Sequence, residues 1–258
     1  MSLLISNVFT YDEDAGNYIQ AVETADAQAL EPATRKAINN FVLGCKADGI
    51  WTAIKASCIL AGARTLSGAL VPLAGTAPTN FNFVAGDYNR KTGLLGDGTT
   101  KYLDSNRNNN ADPQDSKHLA VFTTVFHTRN TTRACIGSST GSIGDSHLIT
   151  AEGPARVFFR LNFTVIGQAL SSRATSTGLY GSSRASAAGC TGRFGGSSNF
   201  YIDTSTAPVA NNITVFARGV TSLSDARIAF YSIGESLDLA LLDTRVTTLI
   251  NAFAAAIP

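Results

Sequence analysis

The run Asp104-Ser-Asn106-Arg-Asn108-Asn-Asn110-Ala-Asp112-Pro-Gln-Asp115 sets oxygen-bearing side chains at the first, third, fifth, seventh, ninth and twelfth positions. That is the spacing with which a calcium loop surrounds its ion. The sixth position is Asn109 where such loops carry glycine, and the last acid is Asp where they carry Glu. Calcium held by Asp104, Asn106, Asn108, Asp112 and Asp115 is one expectation, and a solvated Asn/Asp turn between strands is the other. A second group, Tyr180, Arg184, Arg193, Phe194 and Tyr201, lies in or beside the Gly/Ser-rich stretch 178–198. Aromatic faces and guanidinium donors suit a sugar, so these five are the expected ligand-facing surface.

Acid–base hydrolysis of a glycoside needs two carboxylates flanking the bond. The nearest approach, Glu235-Ser-Leu-Asp238, falls at a helix start, where acids satisfy backbone N–H groups. His118, His127 and His147 are the only histidines. The first two are roughly 30 Å apart if the strand between them is extended, too far to serve one nucleophile or metal. No phosphate loop occurs, and the expectation is a protein that is not an enzyme and has no catalytic residues.

Charged residues are 15% of the chain, against roughly 25% in ordinary soluble domains, and the net charge is +1. No electrostatic footprint for nucleic acid follows. A surface built of Ser, Thr, Asn, Gly and Ala costs little to desolvate, which suits contact with copies of itself or with other subunits. Cys45, Cys58, Cys135 and Cys190 are too widely spaced for a metal knuckle and read as free, buried thiols. The first residues lack a basic region and apolar run, and no membrane span is expected. The Asn-x-Thr sequons at Asn130, Asn162 and Asn212 are accounted for by chance.

These groups need elements to position them. Residues 3–9 read as a short strand, and Asp12-Glu13-Asp14 caps a helix over about 15–29. Glu31-Pro32 opens a second helix with Ile38, Phe41, Val42 and Cys45 as its buried stripe, ended by Gly49. Trp51, Ile54, Cys58 and Ile59 continue at helical spacing and predict a third helix over 50–60. From Thr65 on, short apolar or alternating runs separated by turn residues predict strands at 69–73, 102–105, 118–126, 134–136, 148–150, 156–162, 200–203, 213–217 and 228–233. Residues 118–126 are apolar on both faces and so central, whereas 178–198 reads as a connection. Ser236 caps a last helix whose Leu242, Val246, Leu249, Ile250 and Phe253 lie on one stripe.

Gly93-Leu-Leu-Gly-Asp-Gly-Thr-Thr-Lys-Tyr-Leu-Asp104, followed by the apolar strand 118–126, resembles the opening of laminin-G-like, concanavalin A-like lectin/glucanase domains. Arg227-Ile-Ala-Phe-Tyr-Ser-Ile-Gly234 with the terminal helix resembles the ending of such domains in bacteriophage virion proteins. The lead through 21–31, 44–51 and 68–73 is similar to a module accompanying this domain in phage tail and fibre proteins. The resemblance implies a mainly β fold: an antiparallel two-sheet jelly-roll sandwich, concanavalin A-like, with an N-terminal helical segment (1–64) and a C-terminal helix closing the sandwich (65–258). It implies a virion structural protein, in tail, fibre or capsid decoration. Such a subunit is expected to be a homo-oligomer in contact with other virion proteins and host surface glycans, made in the host cytoplasm. The alternative is a glycan-active enzyme or a free carbohydrate-binding module; the acid triad of the family's glucanases is missing.

Overall fold

The structure, a computed structural model, describes residues 10–126, 132–141, 143–151, 156–163, 168–170 and 177–258. The strand expected over 3–9, His127 and Asn130 lie outside them. Helices α1 (Glu13–Asp26) and α2 (Pro32–Ala47) precede β1 (Ile54–Ile59), a single turn α3 (Leu66–Ala69) and β2 (Pro72–Ala74). There follow β3 (Thr79–Phe81), β4 (Tyr88–Asn89), β5 (Gly93–Leu95), β6 (Tyr102–Asn108), β7 (Lys117–Val125), β8 (Arg133–Ser138) and β9 (Ser146–Ala151). The chain continues through β10 (Arg156–Leu161), β11 (Gln168–Leu170), β12 (Gly178–Ser186), β13 (Gly189–Phe194) and β14 (Ser197–Ile202). It ends with β15 (Asn212–Val215), β16 (Arg227–Gly234) and α4 (Leu239–Ala256).

The strands form two antiparallel sheets stacked as a jelly-roll sandwich, with the helices at the two ends of the chain as expected. The first sheet runs β14-β13-β12-β7-β16-β1-β2, with the β4–β5 hairpin attached to β16. The second runs β11-β10-β9-β8-β15-β6-β3. Between them Leu119, Val121, Tyr231 and Ile233 of the first sheet meet Leu103, Ile136, Leu148, Phe159 and Val215 of the second. On the other side of the first sheet, Ala120, Phe122 and Phe230 meet Tyr18, Ile19 and Val22 of α1, Ile38, Phe41 and Val42 of α2, and the α4 stripe. The first sheet is therefore a middle layer, which is why β7 is apolar on both faces and sits between β12 and β16.

Local chemistry explains the helix ends. The Asp12 carboxylate accepts the Asp14 N–H at 3.1 Å to cap α1, and Pro32 stands in the first turn of α2. The cap of α4 is Asp238, which accepts the Ala240 N–H at 2.7 Å; Ser236, expected in that role, sits two residues earlier and bonds the Ser116 hydroxyl. By length and composition α4 would suffice to cross a membrane. Its Leu242, Val246 and Phe253 are fully buried, and Arg245 holds Asp48 at the end of α2 through two bonds of 2.6 and 2.7 Å.

Three expectations need correction. The third helix is a single turn at Trp51–Ala53 followed by β1, a strand between β16 and β2. Five of the six β1 residues are buried, because helices cover one face and the second sheet the other. A segment with no wet face carries no period that separates helix from strand. The stretch 178–198 is no connection: it holds β12, β13 and the start of β14. Its small residues let another layer come close, since a Cβ on Gly181 would stand 2.8 Å from Leu239 Cδ2. The strand expected at 69–73 is displaced to Pro72–Ala74, with 66–69 coiled as α3.

Candidate functional site

Alternation along β12, β13 and β14 decides which residues can meet a ligand. Tyr180, Cys190 and Tyr201 point toward the second sheet, so Ser183, Thr191 and Phe200, which pair in register across the three strands, point the other way. The helices leave this end of the sheet open. There a cleft of about 540 Å³ lies between the strands and the start of α4, lined by Ser186, Thr191, Ser198, Phe200, Ser236 and Asp238 among others. Phe200 is 60% exposed, and Ile202, which alternation places on the same face of β14, is exposed as well. Asp238 is exposed; its Oδ1 is taken by the helix cap, while Oδ2 has no partner among the described residues.

The wall formed by 235–238 is held from beneath. The Ser183 hydroxyl donates to Leu237 O at 2.8 Å and accepts the Leu237 N–H at 3.1 Å, and Ser236 N–H donates to Ser116 Oγ at 3.1 Å. His118, opposite Ser183 and Gly234 in register, places Nδ1 2.6 Å from Glu235 O and Nε2 2.7 Å from Ser232 Oγ. A carbonyl only accepts, so the proton sits on Nδ1 and Nε2 accepts the Ser232 hydroxyl. Burial pushes His118 down to about 4, which keeps the ring neutral. This serine–imidazole–carbonyl chain has the connectivity of an activated nucleophile, yet both side chains are fully buried. It positions the cleft wall.

Of the five residues expected on a ligand-facing surface, none lines the cleft, and only Arg193 has the parity of its open face. Arg193 donates to Asp243 Oδ2 at 2.8 Å and to Ser198 Oγ at 2.9 Å, tying the far strand to α4. Tyr180 is 3% exposed, and Phe194 packs on it with ring centroids 5.1 Å apart; Tyr201 stacks edge-on against Phe159 at 5.0 Å. Arg184 is fully buried between the sheets, donating to Leu161 O at 2.9 Å with its guanidinium 4.9 Å from the Phe163 ring. These four face inward because they share the parity of the core positions. Phe200 was legible as the opposite parity of Tyr201 and was missed as a site residue.

The calcium expectation also needs correction. Asp104, Asn106 and Asn108 lie on the strand β6 and do not wrap a loop. Asp104 accepts the Asn106 N–H at 2.8 Å, Asn106 donates to Ala77 O at 2.8 Å, and Asn108 accepts the Asn110 N–H at 3.2 Å. Asp112 is paired with Arg107, and Asp115 accepts the Ser205 hydroxyl. Among the described residues no three His, Cys, Asp or Glu side chains gather to hold a metal ion. Next to this segment Lys117 is fully buried and bonded to Asn109, and burial pushes it down to about 7.

No family model and no curated protein matches the chain. Solved structures do. A Trypanosoma rangeli sialidase mutant displaying trans-sialidase activity aligns with a TM-score of 0.53 at 10% identity, over 93% of this chain and 38% of that one. The receptor-binding domain of a botulinum neurotoxin C/D mosaic serotype aligns at 0.50 and 11% identity, over 76% and 51%. An arabinofuranosidase complexed with arabinofuranosyl-alpha-1,2-xylobiose aligns at 0.44 and 7% identity, over 62% and 40%. The chain thus spans 38–51% of these neighbours' lengths. The expectation that it is not an enzyme is corrected: the sialidase mutant displaying trans-sialidase activity shares the fold, so the fold gives no ground for excluding an enzyme. None of the three is described as a virion protein, so that setting rests on the sequence resemblance alone. The fold is a β-sandwich shared with parts of a sialidase and of a toxin receptor-binding domain.

Proposed function

We propose that the chain binds carbohydrate in the cleft between β12–β14 and the start of α4. The observation that carries this reading is the exposed Phe200 ring set among Ser186, Thr191 and Ser198 hydroxyls and the Asp238 carboxylate. A cleft of about 540 Å³ falls within the roughly 300–1,000 Å³ of small-ligand sites. An apolar platform ringed by a few fixed acceptors and donors suits a sugar, whose ring has one face of C–H groups and an equator of hydroxyls. The fold shared with a sialidase is in keeping with this class of ligand by analogy, while the cleft carries the proposal.

The test is a glycan array probed with the full chain, followed by calorimetry of the best ligand on the chain and on Phe200→Ala. Because Phe200 is exposed, the variant keeps the fold; we expect about tenfold weaker binding, the scale of a contact worth 1–2 kcal/mol. Reducing-end release on the bound glycan reports turnover. Absence of binding to any glycan, or binding indifferent to Phe200→Ala, overturns the proposal.

A further inference from the structure

A second site stands on the outer face of the other sheet. Gly137, His147 and Arg160 are consecutive partners across β8, β9 and β10, on the side opposite Leu148, Phe159 and Leu161 of the core. The missing side chain at Gly137 makes room for His147: a Cβ there would stand 2.4 Å from His147 Cβ. The turn after β15 closes on the same place. Gly219 N–H donates to Gly137 O at 3.4 Å and Gly219 O accepts the Thr214 hydroxyl at 2.9 Å, which brings Arg218 beside the ring.

Two groups of this cluster are unsatisfied. His147 is 3% exposed, and among the described residues its Nδ1 and the Nε of Arg218 are buried with no hydrogen-bond partner. Such groups are few in native proteins, and each calls for a cause. Burial and the nearby Arg218 and Arg160 push His147 down to about 3. Arg160 is paired with Asp145 at 3.8 Å, whose oxygens also accept from the Ser139 hydroxyl at 2.6 Å and Thr140 N–H at 2.9 Å. Among the described residues no carboxylate pairs with Arg218.

We propose that Arg218, Arg160 and His147 bind a single oxyanion, a carboxylate or sulfate group. The guanidinium fork of Arg218 matches two oxygens of such a group, and the His147 ring N–H supplies a third donor in a setting already positive. The anion comes either free from solution or carried on an acidic sugar; the recognising chemistry is the same.

The test follows the ring resonances of His147 by NMR, identified by their loss in His147→Gln. The full chain is titrated at constant ionic strength with sulfate, glucuronate and, as a neutral control, glucose. We expect saturable shifts with sulfate, glucuronate or both, and none with glucose. A response to sulfate alone assigns the site to free anions, and a response to glucuronate extends it to acidic sugars. Arg218→Ala should weaken binding on the order of ten- to a hundredfold, the scale of a charged hydrogen bond. Should that variant fold poorly, Arg218→Lys keeps the charge, loses the fork and still lowers affinity. No saturable shift with either anion, or unchanged affinity in both Arg218 variants, overturns the proposal.

Discussion

Replacing Gly181 by alanine puts a methyl group where the first turn of α4 touches β12. The new Cβ would stand 2.8 Å from Leu239 Cδ2 and 3.3 Å from both Ala120 Cβ and Leu119 O. Overpacking of that kind costs about 1–3 kcal/mol, and removing a strand glycine returns about 0.5–1 kcal/mol, leaving a net loss near 1–2 kcal/mol. Leu239→Ala alone empties a site that is 2% exposed and should cost about 2–5 kcal/mol. In the double variant the obstructing Cδ2 is gone and the methyl partly fills the cavity. The loss in the double variant should therefore fall short of the sum of the two single losses by about 1–2 kcal/mol. Urea unfolding of the four proteins, analysed with a common slope, measures the cycle. Additivity within about 0.5 kcal/mol would refute the close approach of α4 to β12 on which the cleft wall rests.

Two further outcomes follow from burial. His118 and His147 are held neutral in the fold, down to about 4 and about 3, below the ordinary imidazole value, so the unfolded chain takes up protons first. Their contribution is complete above about pH 6.5 and is lost as pH falls toward 4, on the order of 3 kcal/mol for His118. Urea midpoints measured between neutral pH and pH 5 should decline, less so in His118→Gln, and a flat profile would contradict this. All four cysteines are buried and their thiols pushed up to about 12, chiefly by that burial. A thiol reagent should therefore find none in the native protein and four after unfolding.

The parts of the sequence that told most were those with one wet face. The α2 stripe of Ile38, Phe41, Val42 and Cys45 and the α4 stripe of Leu242, Val246, Leu249 and Phe253 are buried as their spacing requires. Where both faces are covered the pattern fails. Strand β1, between helices and the second sheet, has a spacing that also fits a helix, and only the middle-layer position decides it. Small residues misled in another way. Gly178, Gly181, Ser182 and Ser183 look like a loop by composition, yet they pair along β7, and Gly181 is small because Leu239 of α4 and Ala120 of β7 press against it. The ligand surface suffered from parity: Tyr180, Arg184, Phe194 and Tyr201 have the right chemistry for a sugar and the wrong side of the strand, whereas Phe200 has both.

The middle layer also dictates when this molecule can come into being. Strand β16 lies between β7 and β1, so Ile54–Ile59 waits for a partner about 175 residues later, at Phe230–Gly234. While the ribosome is still working through the intervening β-strands, the first sheet exists as two halves with a gap at its centre, each with an open edge. Only when residue 234 emerges can the halves be joined, which places assembly after most of the chain has been made and makes it slow for its size. A chain stopped before β16 would be left with two sticky borders, and its fate is to aggregate.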